Sequence, residues 1–193
     1  MKIIILLLST YVCVVHADTT EQIYAKFVIH FNEKDWNKAE KLAVKLDDAN
    51  SIKYLLLAML YGENENPRHD KTKTVIFYEK AVAANNLDAQ SVLIWLYLLP
   101  RNIEYINYER GIQLAKNLLP KYIELIKRGE DKDGEINRTI GRFYLWGVGV
   151  KKDLVVAAKY YEAASKLGDK KAKKTLPHIY KLITKEIKGV GDK

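Results

Sequence analysis

The stretch IGRFYLWGVGVKKDLVVAAKYYEAASKLGDKKA, Ile140 to Ala172, decides the fold. An aromatic run leads into Gly147-Val148-Gly149, a charged corner, and then an alanine-rich amphipathic segment that stops at Gly168. Two glycines two residues apart raise the possibility of a phosphate-cradling loop. A dinucleotide fingerprint, however, needs a third glycine where Lys152 stands, and a Walker loop needs Gly-Lys-Ser or Gly-Lys-Thr. The glycines are therefore read as a corner between two helices. Asp153 then caps the first amides of the second helix, and Gly168 ends it without a Cβ clash.

The same pattern occurs once more upstream. A shift of 83 residues lays Tyr61, Asp70, Phe77, Tyr78, Glu79, Ala81 and Ala89 on Tyr144, Asp153, Tyr160, Tyr161, Glu162, Ala164 and Ala172 without a gap. Half of that shift, about 41, is the length of one helical hairpin, so a further copy belongs between the two. A weaker one is there: LIWLYLL (93–99) and YERGIQLAKNLL (108–119), closed by IELIKRGE (123–130). Upstream, TEQIYAKFVIHF and DWNKAEKLAVKLDDAN form another pair. Apolar residues recur at helical spacing throughout: Ala39, Leu42, Ala43 and Leu46; Ile112, Ala115, Leu118 and Leu119; Tyr160, Ala163, Ala164 and Leu167. Strand-like alternation is scarce. The expected fold is all-α, about four helical hairpins between about 19 and 172, with a closing helix at roughly 175–188.

Composition agrees with one packed domain. Of 193 residues 48 % are hydrophobic and 29 % charged, with only 4 Pro and 10 Gly, which excludes a disordered chain. Residues 1–17 read differently. Lys2 precedes an apolar run too short and too interrupted to span a bilayer, and Val15-His16-Ala17 suits a signal peptidase, so 1–17 is expected to be a signal peptide and 18–193 the domain. Val12 before Cys13 is wrong for lipoprotein processing. The mature chain then has no cysteine and must be held by packing alone, as suits a bacterial periplasm or exterior.

The formal charge of +8 is uneven. Residues 18–150 hold 19 basic and 19 acidic side chains, whereas 151–193 hold 12 and 5. Such a basic end can be the solvated face of the last helices, or can steer an acidic protein partner. Nucleic acid is not expected, because the lysines are not interleaved with an aromatic platform.

On Ile140-Gly141-Arg142-Phe143-Tyr144, the Gly147-Val148-Gly149-Val150 turn, Asp153, Ala157, Tyr160, Tyr161, Ala164, Gly168 and Ala172, the chain resembles the Sel1-like repeats of the tetratricopeptide superfamily. Tyr160 stands at the family's Trp position and Ser165 at that of its second Ala. The match is specific over about 75 residues; 58–90 lacks the turn glycines and the other pairs follow by extension. The resemblance implies a right-handed α-solenoid of antiparallel helix pairs whose inner, concave face often holds a peptide or protein partner.

Chemistry is not apparent. His30, His69 and His178 are far apart, no His-Glu-x-x-His occurs, Glu79 and Glu162 fall on separate helices, and no serine lies in a nucleophile elbow. The expectation is a protein without enzymatic activity or cofactor. Candidate partner-binding residues are the aromatics Trp95 and Tyr97, Trp146 beside the turn, which could pack or contact a ligand, and Lys170, Lys173 and Lys174 of the basic end. Two binding roles fit: an immunity protein that occludes a toxic effector encoded by a neighbouring gene, its surface acidic, or a general periplasmic or secreted adaptor.

Overall fold

The computed structural model describes residues 18–99 and 106–191; the expected signal peptide lies outside the described residues. Nine helices and no strand occur among them: α1 Thr20–Asn32, α2 Trp36–Ala43, α3 Ser51–Gly62, α4 Lys71–Ala83, α5 Leu87–Leu98, α6 Tyr108–Lys127, α7 Glu135–Trp146, α8 Leu154–Lys166 and α9 Lys170–Gly191. They pack in chain order as four pairs and a closing helix. The closing helix starts at Lys170 rather than near 175, because the Asp169 carboxylate accepts from the Ala172 amide at 2.7 Å and opens it earlier.

Short polar side chains start most of these helices. Asp35, Asn50, Asp70, Asn86, Asn107 and Asp153 each accept a backbone N–H from their own first turn, and Thr19 forms a capping box with Gln22. At α7 the cap position is Gly134, which has no side chain to offer. Asp131 takes over, accepting from the amides of Ile136 at 3.1 Å and Asn137 at 2.9 Å. The Gly147 and Gly149 backbones turn at φ +70° and +71°, as a corner between helices requires. Asn85 and Gly168, at equivalent places after α4 and α8, also have positive φ.

The buried apolar residues fall into three successive clusters. Ile23 to Leu60 join α1–α3, Leu55 to Val148 join α3–α7, and Leu145 to Ile179 join α7–α9. A row of cores, each shared between neighbours, is what stacked hairpins produce. In α2 the expected stripe of Ala39, Leu42, Ala43 and Leu46 is buried.

Two stripes are rotated from their expected positions. On α6 the buried set is Gly111, Leu114, Ala115, Leu118 and Tyr122, while Ile112 is 37 % exposed. The cause is Gly111, which faces the Leu98 side chain so closely that a Cβ would lie 2.9 Å from it. On α8 the buried set is Leu154, Ala157, Ala158, Tyr161 and Ala164, and Leu167 is 43 % exposed. Here the Tyr161 ring lies against Gly141 of α7, turning Tyr160 outward to stack on Tyr144 at 5.9 Å.

Polar side chains tie the first hairpin to the second, the second to the third, and the fourth to α9. Tyr61 donates to Glu40 at 2.7 Å, Tyr97 to Glu79 at 2.8 Å and Tyr180 to Glu162 at 2.5 Å. Arg68 adds a contact to Glu40, and Arg110 clamps Glu79 through two bonds of 3.0 and 2.7 Å. The Arg110 clamp, opposed by burial and aided by the Tyr97 hydroxyl, holds the Glu79 carboxyl below its ordinary pKa. Arg138 bonds Asp169 at 2.6 Å with both side chains nearly covered, at 11 and 9 % exposure. Burial alone would raise the Asp169 pKa; the Ala172 amide and Arg138 outweigh it and bring it down.

Two outcomes follow from this packing. An ordinary exposed helical Gly→Ala change gains up to about 1 kcal/mol. Gly141→Ala is expected to lose about 1–3 kcal/mol instead in urea denaturation, since its Cβ would meet the Tyr161 ring at 2.6 Å. Asp169→Ala is expected to cost about 2–4 kcal/mol at pH 7. A carboxylate with a lowered folded pKa contributes fully above its unfolded value and loses that contribution as pH falls through the folded one, so parent and variant should converge below about pH 4.

Candidate functional site

Two of the grooves formed by the described residues gather aromatic or acidic side chains. The first, about 580 Å³, is lined by α3–α7 together with Tyr24 of α1. Asp88, Glu130, Asp131, Asp133 and Glu135 lie along it, and among the described residues no Lys or Arg does. Much of this charge is already engaged: Asp131 caps α7, and Glu135 bonds Arg138 at 2.6 Å. Burial, reinforced by Glu135, raises the Asp88 carboxyl pKa. Burial likewise pushes the Tyr78 and Tyr122 phenols up to about 12, so both remain protonated donors at neutral pH.

The second groove, about 550 Å³, lies where the end of α5, the start of α6 and the end of α7 meet. Trp95, Leu98 and Leu99 come from the α5 side, Tyr108 and Ile112 from α6, and Arg142, Trp146, Gly147 and Val148 from α7 and its turn. Helical geometry aligns Arg142 with Trp146, four residues apart on one face of α7. The Arg142 guanidinium carbon lies 3.6 Å from the centre of the Trp95 ring, which in turn sits 6.0 Å from that of Phe143. Trp95 Nε1 is buried and has no hydrogen-bond partner. Trp146 is 68 % exposed and Tyr108 53 %.

Arg142 differs from the other arginines among the described residues. Arg68 holds Glu40, Arg110 holds Glu79, Arg128 holds Glu124, and Arg138 holds Asp169 and Glu135. No carboxylate of the described residues pairs with Arg142. Burial lowers its pKa, Tyr161 works against that and Arg138 adds to it. An arginine nonetheless stays charged at any physiological pH, so among the described residues Arg142 is a cation without a counter-charge, ringed by aromatic and aliphatic side chains.

The residues singled out from sequence divide between these surroundings. Trp95 and Trp146 meet in the second groove, Trp95 as its floor and Trp146 as its open wall. Tyr97 does not reach it. It is only 8 % exposed and its hydroxyl is engaged by Glu79, so it belongs to the joint between hairpins. Lys170, Lys173 and Lys174 are exposed on the first turns of α9 and line neither groove. Arg142, Tyr108 and the acidic groove were not singled out. A sequence signal for Arg142 does exist: no acid stands three or four residues from it on either side, where a helical ion pair would form.

Among the described residues no group of three His, Cys, Asp or Glu side chains is placed to hold a metal ion. Among the same residues no helix is long and apolar enough to cross a membrane.

Comparison with solved structures gives the fold a relative. A Sel1 repeat protein from Oxalobacter formigenes is similar at a TM-score of 0.58 and 24 % identity, over 84 % of this chain and 64 % of that one. That likeness supports an all-α solenoid of stacked helix pairs. The chain spans 64 % of the length of that structure. No family model matches the chain, and no curated protein does.

The exposure difference between the two tryptophans sets an expected outcome. Trp146→Ala should change the unfolding free energy by no more than about 0.5 kcal/mol, as for other surface positions. Trp95→Ala, which removes the support of Phe143 and Arg142, should cost about 2–4 kcal/mol. Urea titrations of the two variants check both.

Proposed function

We propose that this chain is a protein-binding repeat scaffold without enzymatic activity, acting in the bacterial periplasm or outside the cell. Its most concrete form is an immunity protein that binds and occludes a toxic effector. The observation that carries the binding reading is the α5–α6–α7 groove. Trp, Tyr and Arg are the residue types that dominate binding energy at protein interfaces, and Trp95, Tyr108, Arg142 and Trp146 converge there. Trp146 leaves a large apolar side chain 68 % exposed at the mouth of that groove. The exposed lysines of α9 supply a long-range field that speeds the approach of an acidic-surfaced partner without touching the groove.

The immunity role draws its support from sequence: a segment suited to export, and a domain in which no catalytic motif was found. A stacked-hairpin domain suits occlusion physically. Its surface is set by a packed core, so little is lost in ordering it against a partner.

The test is direct. The product of the gene next to this one is expected to bind the purified chain with sub-micromolar affinity by calorimetry, and co-expression should rescue cells exporting that product. Trp146→Ala should weaken the complex at least about tenfold. Absence of association at micromolar concentration would overturn the immunity role. A complex unaffected by Trp146→Ala would remove the groove from it.

A further inference from the structure

Resting on the reading of the α5–α6–α7 groove as a docking surface, we propose that its occupant is a protein segment in which an aspartate or glutamate side chain lies between bulky apolar side chains, with the carboxylate seated on Arg142.

Charge complementarity carries this. Four other arginines among the described residues hold carboxylates, and Arg142 alone among them holds none. It is half-buried rather than extended into solvent, where an unpaired cation would be hydrated at no cost. Burying a charge without a counter-charge is unfavourable, and an incoming carboxylate relieves that in place. At 3.6 Å from the Trp95 ring centre the guanidinium is in van der Waals contact with the indole face. Arg142 also lines the groove, and a guanidinium carries a planar fork of N–H donors that pairs with a carboxylate through two bonds. The Phe143 contact beneath Trp95 holds this arrangement before anything binds.

The rest of the lining selects among acidic ligands. Leu98, Leu99 and Ile112 on one flank and Trp146 and Val148 on the other give a small anion nothing to bury against. A phosphate group would bring a second negative charge to a groove whose described lining residues include a single cation. A carboxylate matches that charge one for one. Apolar walls contributed by α5–α6 and by the end of α7 suit apolar residues on both sides of the acid, which favours an internal Asp or Glu over a chain end. A volume of about 550 Å³ accommodates a few side chains, not a folded domain.

A display selection of randomised octapeptides, both ends capped, against the full chain tests the proposal. The recovered peptides are expected to be enriched in Asp or Glu flanked by Leu, Ile, Phe or Trp. For a chosen peptide, fluorescence anisotropy should show about a tenfold to hundredfold loss on its own Glu→Gln change, and a similar loss on Arg142→Gln. The two changes together should cost no more than either alone. Arg142→Lys, which keeps the charge but lacks the fork, should fall between. Should Arg142→Gln not fold, as judged by its thermal melt, the peptide-side substitution against the unaltered chain decides the matter.

Binders that depend on Trp146 but show no acidic enrichment would overturn the carboxylate and leave the docking groove standing. Recovery of no Trp146-dependent binder removes both. Binding only by peptides with a free C-terminal carboxylate overturns the internal segment as the source. Self-association of the chain abolished by Trp146→Ala, with no peptide bound, identifies a second copy as the occupant and overturns the proposal.

Discussion

Everything in this molecule depends on how closely one helix backbone can approach the next. Ala58, Ala81, Ala89, Ala157, Ala164 and Ala172 have no exposed surface at all, and each stands where two helices meet. Gly111 and Gly141 go further, receiving a leucine and a tyrosine side chain where no Cβ fits. Small residues at these places let large ones interdigitate above and below them, which sets the spacing of the stack. A single hairpin cannot hide its apolar face, so each pair is completed by its successor. After the α7–α8 pair, α9 takes the covering role through Ala172 and Ile179, both fully buried.

Close approach sets distance but not angle, and the tyrosine–carboxylate bonds supply the second constraint. Glu40, Glu79 and Glu162 sit on the second helix of a pair and receive a hydroxyl from Tyr61, Tyr97 or Tyr180 on the first helix of the next. A bond to a charged acceptor contributes about 1.5–3 kcal/mol when it is shielded from water; these are partly exposed and contribute less. Their geometric effect is larger, because only one rotation of the incoming helix brings the hydroxyl to the carboxylate. Between α6 and α7 the same device is absent. The residues 21 and 18 positions before Tyr144, the spacings seen in the other joints, are Ile123 and Ile126. Tyr144 turns to Tyr160 instead.

Hairpin number, the Gly147–Gly149 corner, the Asp70 and Asp153 caps and the buried alanines were all legible in the residues, since each is a local consequence of backbone geometry repeated at a fixed interval. The azimuth of α6 and α8 was not. Ile112 and Leu167 satisfy helical spacing as well as their neighbours do, and only Gly111 within α6 and Gly141 opposite α8 decide which stripe turns inward. Tyr97 was misplaced among partner-binding candidates because aromatic character does not distinguish a groove wall from a joint. Its 18-residue separation from Glu79, repeated between Tyr180 and Glu162, was the available clue. Trp95 and Arg142 stand 47 positions apart, and no local pattern announces a contact between them.

The groove and the missing latch concern the same part of the stack. At the other joints an arginine or a tyrosine is consumed in fixing one hairpin on the next, and the polar groups there are spent. Around α6 and α7 apolar contact performs that task through Ile123, Ile126 and Tyr144, all partly buried against the central cluster. Arg142 is thereby left outside the internal ion pairs and rests on a tryptophan instead of a carboxylate. A protein that fixed every joint alike would offer a partner only satisfied side chains. Among the described residues the Arg142–Trp95 contact is left beside exposed Trp146 and Tyr108, and under the proposed docking reading the side chains a partner would have to order there are chiefly those two.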